Sequence, residues 1–370
     1  MLRARHSLIL MIALEVSLLT TAAFAQLKTR NVVLIVPDGV RWQEVFQGPD
    51  QSLMNRDHGG VRDEAALRRG FWRATPTEGR QTLFPFFWNV IAKQGQLYGN
   101  QAAGSVAQVT NGLKFSYPGY NEILSGRPDP RIDRNNFGPN PNTTVFEFLN
   151  RLPEFRGRVA AFGTWGVFSA IFNRERSGLF VHAGWEPPPG GRPGPRLALL
   201  EELYRTTTRT WEDNAYDSFM HAAVKDYLQA NRPRVLFLGY GETDEWYHGG
   251  RYDLLLRSAQ QFDRFVADLW GTLQVLPEYH DQTTFLLTTD HGRGSGPTKW
   301  KDHGREVEGA ENIWIAALGP DTRPLGERKN VPPVTQAQVA ATVAALVGQD
   351  YRREAPTAAA PLADVLGPAR

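Results

Sequence analysis

The chain has 370 residues, of which 41% are hydrophobic, 11% aromatic and 22% charged, enough apolar material for a large core and too little charge for a disordered chain. Its 41 basic and 39 acidic residues leave a formal net charge of +2. No run of like charges stands out, which argues against a nucleic-acid partner and for a small-molecule substrate.

The first element is MLRARHSLILMIALEVSLLTTAAFAQLK. Two arginines, an apolar run from Leu8 to Leu19 interrupted by Glu15, and the small-x-small stretch Ala23-Phe24-Ala25 match a secretory signal peptide over residues 1–25. The chain has no cysteine, so neither a disulfide nor a lipid-modified cysteine is available. The expected location is periplasmic or secreted. No membrane span is expected after cleavage, because no later segment approaches the ~20 apolar residues that a span needs.

From Asn31, NVVLIV reads as a buried strand that ends at Pro37-Asp38-Gly39, the form of a strand opening into a functional loop. Similar runs are RVAAFG (158–163), RVLFLGYG (234–241), TTFLLTTDHG (283–292) and NIWIAALG (312–319). Helical patterns lie between them, at 82–95, 143–152, 211–231, 252–274 and 335–348. This alternation predicts a three-layer α/β/α sandwich around a mostly parallel central sheet, one domain over residues 26–370. Polar, Gly- and Pro-rich stretches at 46–80, 127–143 and 186–196 read as insertions over the strand ends, where ligands of such sheets gather.

Those ends carry the reactive side chains: Asp38 after the first strand, Asp244 and His248 in GETDEWYHGG, Asp290 and His291 in TTDHGRG, and His303 in KWKDHGRE. Only eight histidines exist in the chain, and three fall in these segments. Carboxylates and imidazoles suit a zinc-like divalent ion held by three protein ligands with a position left open. Three Asp and three His divide into two such sets, and two ions about 4 Å apart can clamp both oxygens of an in-line displacement. Asp244 and His248 are spaced i, i+4, so a helical turn puts them on one face, with Gly249-Gly250 to stop it. Within KFSYPGYNEILSG (114–126), Ser116 reads as the N-cap of a short helix with Pro118 in its first turn and Gly126 closing it. A helix N-terminus favours negative charge on an alkoxide or a phosphate oxygen.

In this order, Asp38-Gly39, Ser116-Tyr117-Pro118, Asp244 with His248, Asp290-His291-Gly292 and His303 resemble the motifs of the alkaline phosphatase superfamily, most closely its nucleotide pyrophosphatase/phosphodiesterase-like branch. The resemblance covers about residues 31–310. It implies a secreted zinc-dependent phosphoester hydrolase of the phosphatase or phosphodiesterase type. Asp38, Asp290 and His291 would bind one of two Zn²⁺ ions, which also contacts Ser116, and Asp244, His248 and His303 the other. Ser116 would attack phosphorus in line to give a phosphoserine that water then hydrolyses. An Asn about twenty residues after the nucleophile holds a phosphate oxygen in such enzymes, and RIDRNNFG offers both Asn135 and Asn136.

Two features depart from the branch: Ser stands where Thr is usual, and PGY follows where PNH is usual. Ser-x-Pro-x-Tyr also partly resembles the Ser/Cys-x-Pro-x-Arg signature of sulfatases, but Tyr120 replaces the Arg and the Asp/His ligands differ from a single-calcium set. A sulfatase or phosphonate hydrolase, or a non-catalytic anion-binding member, is the alternative on the same scaffold. Lys114, Arg293, Lys299, Lys301 and Arg305 are candidate contacts for the non-transferring oxygens. Trp246 and Trp300 are candidates to stack on a nucleobase or aryl leaving group.

Overall fold

In a computed structural model of the chain, the structure describes residues 27–188 and 194–366. The expected signal peptide, and residues 189–193 of the 186–196 loop, lie outside the described residues. Ten strands form: β1 (Asn31–Pro37), β2 (Gln96–Tyr98), β3 (Ala107–Gln108), β4 (Val159–Gly163), β5 (Phe180–Ala183), β6 (Val235–Tyr240), β7 (Thr283–Thr288), β8 (Ile315–Leu318), β9 (Gly326–Glu327) and β10 (Val334–Thr335). Eight of them make one sheet in the order β5-β4-β6-β1-β7-β8-β2-β9, and β3 pairs with β10 in a separate short ribbon.

The first five strands of that order run parallel. β8 is antiparallel to both β7 and β2, and β9 rejoins β2 in parallel. The sheet is thus mixed and mostly parallel, as the strand–helix alternation predicts. Successive side chains of a strand point to opposite faces, and β1 sends Val33 and Ile35 into one core and Val32, Leu34 and Val36 into another. The first core is closed by helices Asp217–Asn231 and Tyr252–Gln274, the second by Ser116–Ser125, Val145–Arg151 and Gln338–Leu346. Two cores on one sheet make three layers.

Several elements differ from the sequence expectation. β2 and β5 were not expected, since three and four residues are too few to show a period. The 46–80 stretch carries short helices at Arg56–Gly59, Glu64–Phe71 and Pro76–Leu83, and it buries Leu53, Met54, Val61, Leu67 and Phe71 in the first core. The helix expected over 211–231 begins only at Asp217. Among the described residues no helix is long and apolar enough to cross a membrane.

The Ser116–Ser125 helix is buried at every position and meets the carboxyl end of β7 closely. At Gly119 an added Cβ would stand 2.2 Å from the Asp290 carbonyl oxygen, so the sequence SYPGY admits this approach only with glycine at that position. Gly119→Ala forces one of two buried backbones to move, and overpacking of this kind costs about 1–3 kcal/mol. A lowered urea midpoint is the expected outcome; an unchanged midpoint would mean that the helix and the Asp290 segment are not in contact.

Candidate active site

The neighbours β6, β1 and β7 bring three chain segments side by side at their carboxyl ends, the usual ligand position in such a sheet. Backbone and side-chain bonds fix the segments to one another. Asp38 N–H donates to the Tyr240 carbonyl at 2.8 Å, Thr243 Oγ1 to the Asp38 carbonyl at 2.7 Å and Thr289 Oγ1 to the Pro37 carbonyl at 2.8 Å. From the far side, Gln336 Nε2 donates to the carbonyls of Thr289 and Asp290 at 2.9 and 2.7 Å.

On this frame Asp38, Asp290 and His291 converge and are buried. His291 Nε2 lies 3.4 Å from Asp38 Oδ1 and 3.5 Å from Asp290 Oδ2, and none of these three atoms has a hydrogen-bond partner among the described residues. Buried polar atoms are rarely left so. The other atom of each group is occupied: Asp38 Oδ2 accepts from the Tyr120 hydroxyl at 3.1 Å, Asp290 Oδ1 from Gly39 N–H at 3.0 Å, and His291 Nδ1 faces the Gly292 carbonyl at 3.0 Å. A carbonyl can only accept, so Nδ1 carries a proton, and Nε2 is the ring nitrogen turned toward the two carboxylates and available to a metal once deprotonated. Burial, then the charge of Asp38, pushes the Asp290 carboxyl up to about 8. Burial alone would lower His291, but Asp290 and Asp38 raise it to about 9. Both shifts mean that the buried cluster holds protons among its carboxylate oxygens and Nε2 when no other cation is there, and two carboxylates around an imidazole are a donor set that a divalent cation fits in place of those protons.

A second set adjoins the first. Helix Glu242–His248 puts Asp244 Oδ2 3.2 Å from His248 Nε2, and His248 Nε2 is 3.0 Å from His303 Nε2. The His303 Nδ1 atom faces the Lys114 carbonyl at 3.3 Å, which again leaves Nε2 as the free lone pair. Burial, then the neighbouring His291, lowers the pKa of both His303 and His248, keeping them in the neutral form that binds a metal. Ligand atoms of Asp244, His248 and His303 lie within 4.8 Å of one another, and so do those of Asp38, Asp244 and His291. Asp244 is therefore within reach of both sets, where the sequence assigned it to one.

The residues flanking Ser116 touch both sets. Lys114, two residues before it, touches His303, and Tyr120, one helical turn after it, touches Asp38. The N-cap of the helix is Phe115, not Ser116: Phe115 is extended, Ser116 is the first helical residue, and no side chain caps the helix. The Ser116 hydroxyl is thus not committed to a capping bond. Buried Glu122 fixes the preceding loop, accepting from the backbone N–H groups of Thr110 and Asn111 and from both side chains at 2.8–3.0 Å.

The structure also separates Asn135 from Asn136. Asn135 Oδ1 accepts from Tyr117 N–H at 3.0 Å, so its amide nitrogen is left to donate elsewhere. Of the candidate cations, Lys114 Nζ is held by the Val307 carbonyl at 2.9 Å and by Glu311 at 3.4 Å, and Lys299 pairs with Asp302 at 3.2 Å. Arg293 is buried against Asp244, while Lys301 and Arg305 are exposed. Trp300 is buried, donating to the His58 carbonyl at 3.0 Å, and belongs to the core. Trp246 is half-buried and packs edge-on against Trp211 at 4.9 Å. Sequence reasoning missed the roles of Tyr120, Glu122 and Gln336; only Tyr120 carried a signal, its i, i+4 spacing from Ser116.

No protein-family profile matches the sequence, and no curated protein matches it. Solved structures do. Alkaline phosphatase PafA aligns at 10% identity and a TM-score of 0.57, over 93% of this chain and 100% of that one. The phosphonate monoester hydrolase of Silicibacter pomeroyi aligns at 12% and 0.51, over 87% and 74%. CgsB, solved in complex with k-i-k-neocarrahexaose, aligns at 15% and 0.53, over 91% and 75%. At these identities the likeness concerns architecture alone: the chain has an alkaline phosphatase-like α/β fold.

Proposed function

We propose that the protein is a zinc-dependent phosphoester hydrolase of the phosphodiesterase type with Ser116 as its nucleophile. The observation that carries this reading is the set of buried, unpartnered atoms Asp38 Oδ1, Asp290 Oδ2 and His291 Nε2, beside a serine whose flanking residues touch both ligand sets. Asp38, Asp290 and His291 would hold one ion and Asp244, His248 and His303 the other. Bound zinc supplies the positive charge that lowers the Ser116 pKa and offsets charge on the reacting phosphoryl group. Names of structural neighbours, an alkaline phosphatase and a phosphonate monoester hydrolase, support hydrolysis at phosphorus. The arginine-flanked apolar N-terminus supports a periplasmic or secreted location.

The chain's own residues act as follows. Ser116 Oγ forms a bond to phosphorus while the ester oxygen leaves with its electron pair, and water then cleaves the seryl ester and restores the hydroxyl. The N-terminus of Ser116–Ser125 faces the negative charge that develops. Asn135, oriented through Tyr117 N–H, presents only its amide nitrogen to a phosphate oxygen. A neutral donor there suits a singly charged ester better than a monoester dianion.

The deciding experiment compares kcat/KM for matched nitrophenyl phosphodiester, phosphate monoester and sulfate ester on zinc-loaded protein. The diester should lead by at least about tenfold, and a strong chelator should abolish turnover with zinc restoring it. Preference for the sulfate ester, or turnover indifferent to the chelator, would sink the reading. Ser116→Ala should keep the fold and bound zinc and lose roughly a thousandfold or more in kcat; near-normal turnover would remove Ser116 from the nucleophile's role. Asn135→Ala should lower kcat by about 10² to 10³, whereas Asn136→Ala should stay close to the parent, and the reverse pattern would transfer the oxygen contact to Asn136.

A further inference from the structure

Arg293 directly follows Asp290-His291-Gly292, and its side chain is fully buried. Every nitrogen of its guanidinium reaches a different ligand-bearing segment. Nε donates to the Gly39 carbonyl at 3.2 Å, in the turn that follows Asp38. Nη1 donates to the Lys301 carbonyl at 2.7 Å, two residues before His303. Nη2 pairs with Asp244 Oδ1, its one carboxylate partner among the described residues. The guanidinium also lies 4.3 Å over the ring of Tyr247, on the Asp244 helix. Arg41, the other buried arginine nearby, does not compete, because it is paired with Glu44.

The sequence makes room for this arrangement. Gly39 has φ +63, and an added Cβ there would stand 2.6 Å from Arg293 Nη2. Asp244 reaches both ligand sets, and by itself it is free to serve either ion or to bridge them. Arg293 holds Oδ1, the oxygen that lies 3.9 Å from His291 Nε2 of the first set, while Oδ2 faces His248 of the second set at 3.2 Å.

We propose that Arg293 is a positioning residue that commits Asp244, through one oxygen, to the ion of His248 and His303, and locks the four ligand-bearing segments in register. This assignment rests on the two-ion reading above. The planar fork is what the role requires, since an ammonium presents one point of charge and cannot span three acceptors in fixed directions.

The test is a zinc titration of the metal-free protein against a chromophoric competitor, for the parent, Arg293→Met and Arg293→Lys, with circular dichroism to establish folding. The parent should bind two ions. Arg293→Met should retain one affinity and bind the second ion about 10- to 100-fold more weakly, with turnover at low zinc reduced in step and recovered by excess zinc. Arg293→Lys, which keeps the charge and loses the fork, should show the same split; if Arg293→Met does not fold, this variant decides. Two affinities within about twofold of the parent in a folded variant, or equal weakening of both, would overturn the assignment while leaving the two-ion reading intact. A parent that binds no divalent ion would overturn the two-ion reading, and Arg293's role with it.

Discussion

The structure is organised around an electrostatic demand, the burial of Asp38, Asp290 and His291 with one atom of each left without a partner. Leaving a buried polar atom unsatisfied costs about 1–3 kcal/mol, and more when it is charged. Without a cation, the two carboxylates repel, and Asp290 is driven up to about 8 by burial and by Asp38. A divalent ion held by these residues would reverse the sign of that interaction and offset the buried negative charge. The bonds from Tyr120, Gly39, Thr243, Thr289 and Gln336 occupy neighbouring acceptors on these segments and leave Asp38 Oδ1 and Asp290 Oδ2 turned toward His291 Nε2.

Ser116, the proposed nucleophile, is tied to that place by chain geometry. The Ser116 helix abuts the Asp290 carbonyl at Gly119, reaches Asp38 through Tyr120, and fixes its own entry loop through Glu122. Positioning of this kind replaces entropy that a free hydroxyl would lose in reaching the transition state. Phe115, not Ser116, occupies the capping position, so the serine oxygen is not spent on the helix it begins.

Much of this was legible in the sequence for a simple reason. Strands buried on both faces read as continuous apolar runs, and β1, β4, β6, β7 and β8 each lie within such a run, with ligand-type residues at the ends of three of them. β2 and β5 escaped because they are too short to show a pattern. The segment 46–80 was read as an insertion because its buried residues are spread over three short helices, none long enough to show a stripe. Asn135 and Asn136 are identical in type and adjacent, so only the bond to Tyr117 N–H distinguishes them. Arg293 was legible as a cation but not as a buried one: its partners lie far away in sequence on Gly39, Asp244 and Lys301, and no local spacing encodes that.

Arg293 also bears on which ester the site suits. Desolvation lowers its pKa to about 9, so it remains charged at neutral pH, and being buried it cannot be a direct contact for substrate. Its charge belongs to the site's permanent balance. Three carboxylates, Asp38, Asp244 and Asp290, set against one guanidinium leave two negative charges, with the imidazoles neutral. On the proposed reading, two divalent ions would convert this to two positive charges, and an ionised Ser116 with a singly charged ester would bring the site to neutrality. A monoester dianion would overshoot by one charge beside the buried Asp38, Asp290 and His291, where unpaired charge is costly. A sulfate monoester carries the same single charge as a phosphodiester, so on the proposed reading charge would separate monoester from diester, and discrimination at the central atom would fall to the ligand geometry and to the donor of Asn135.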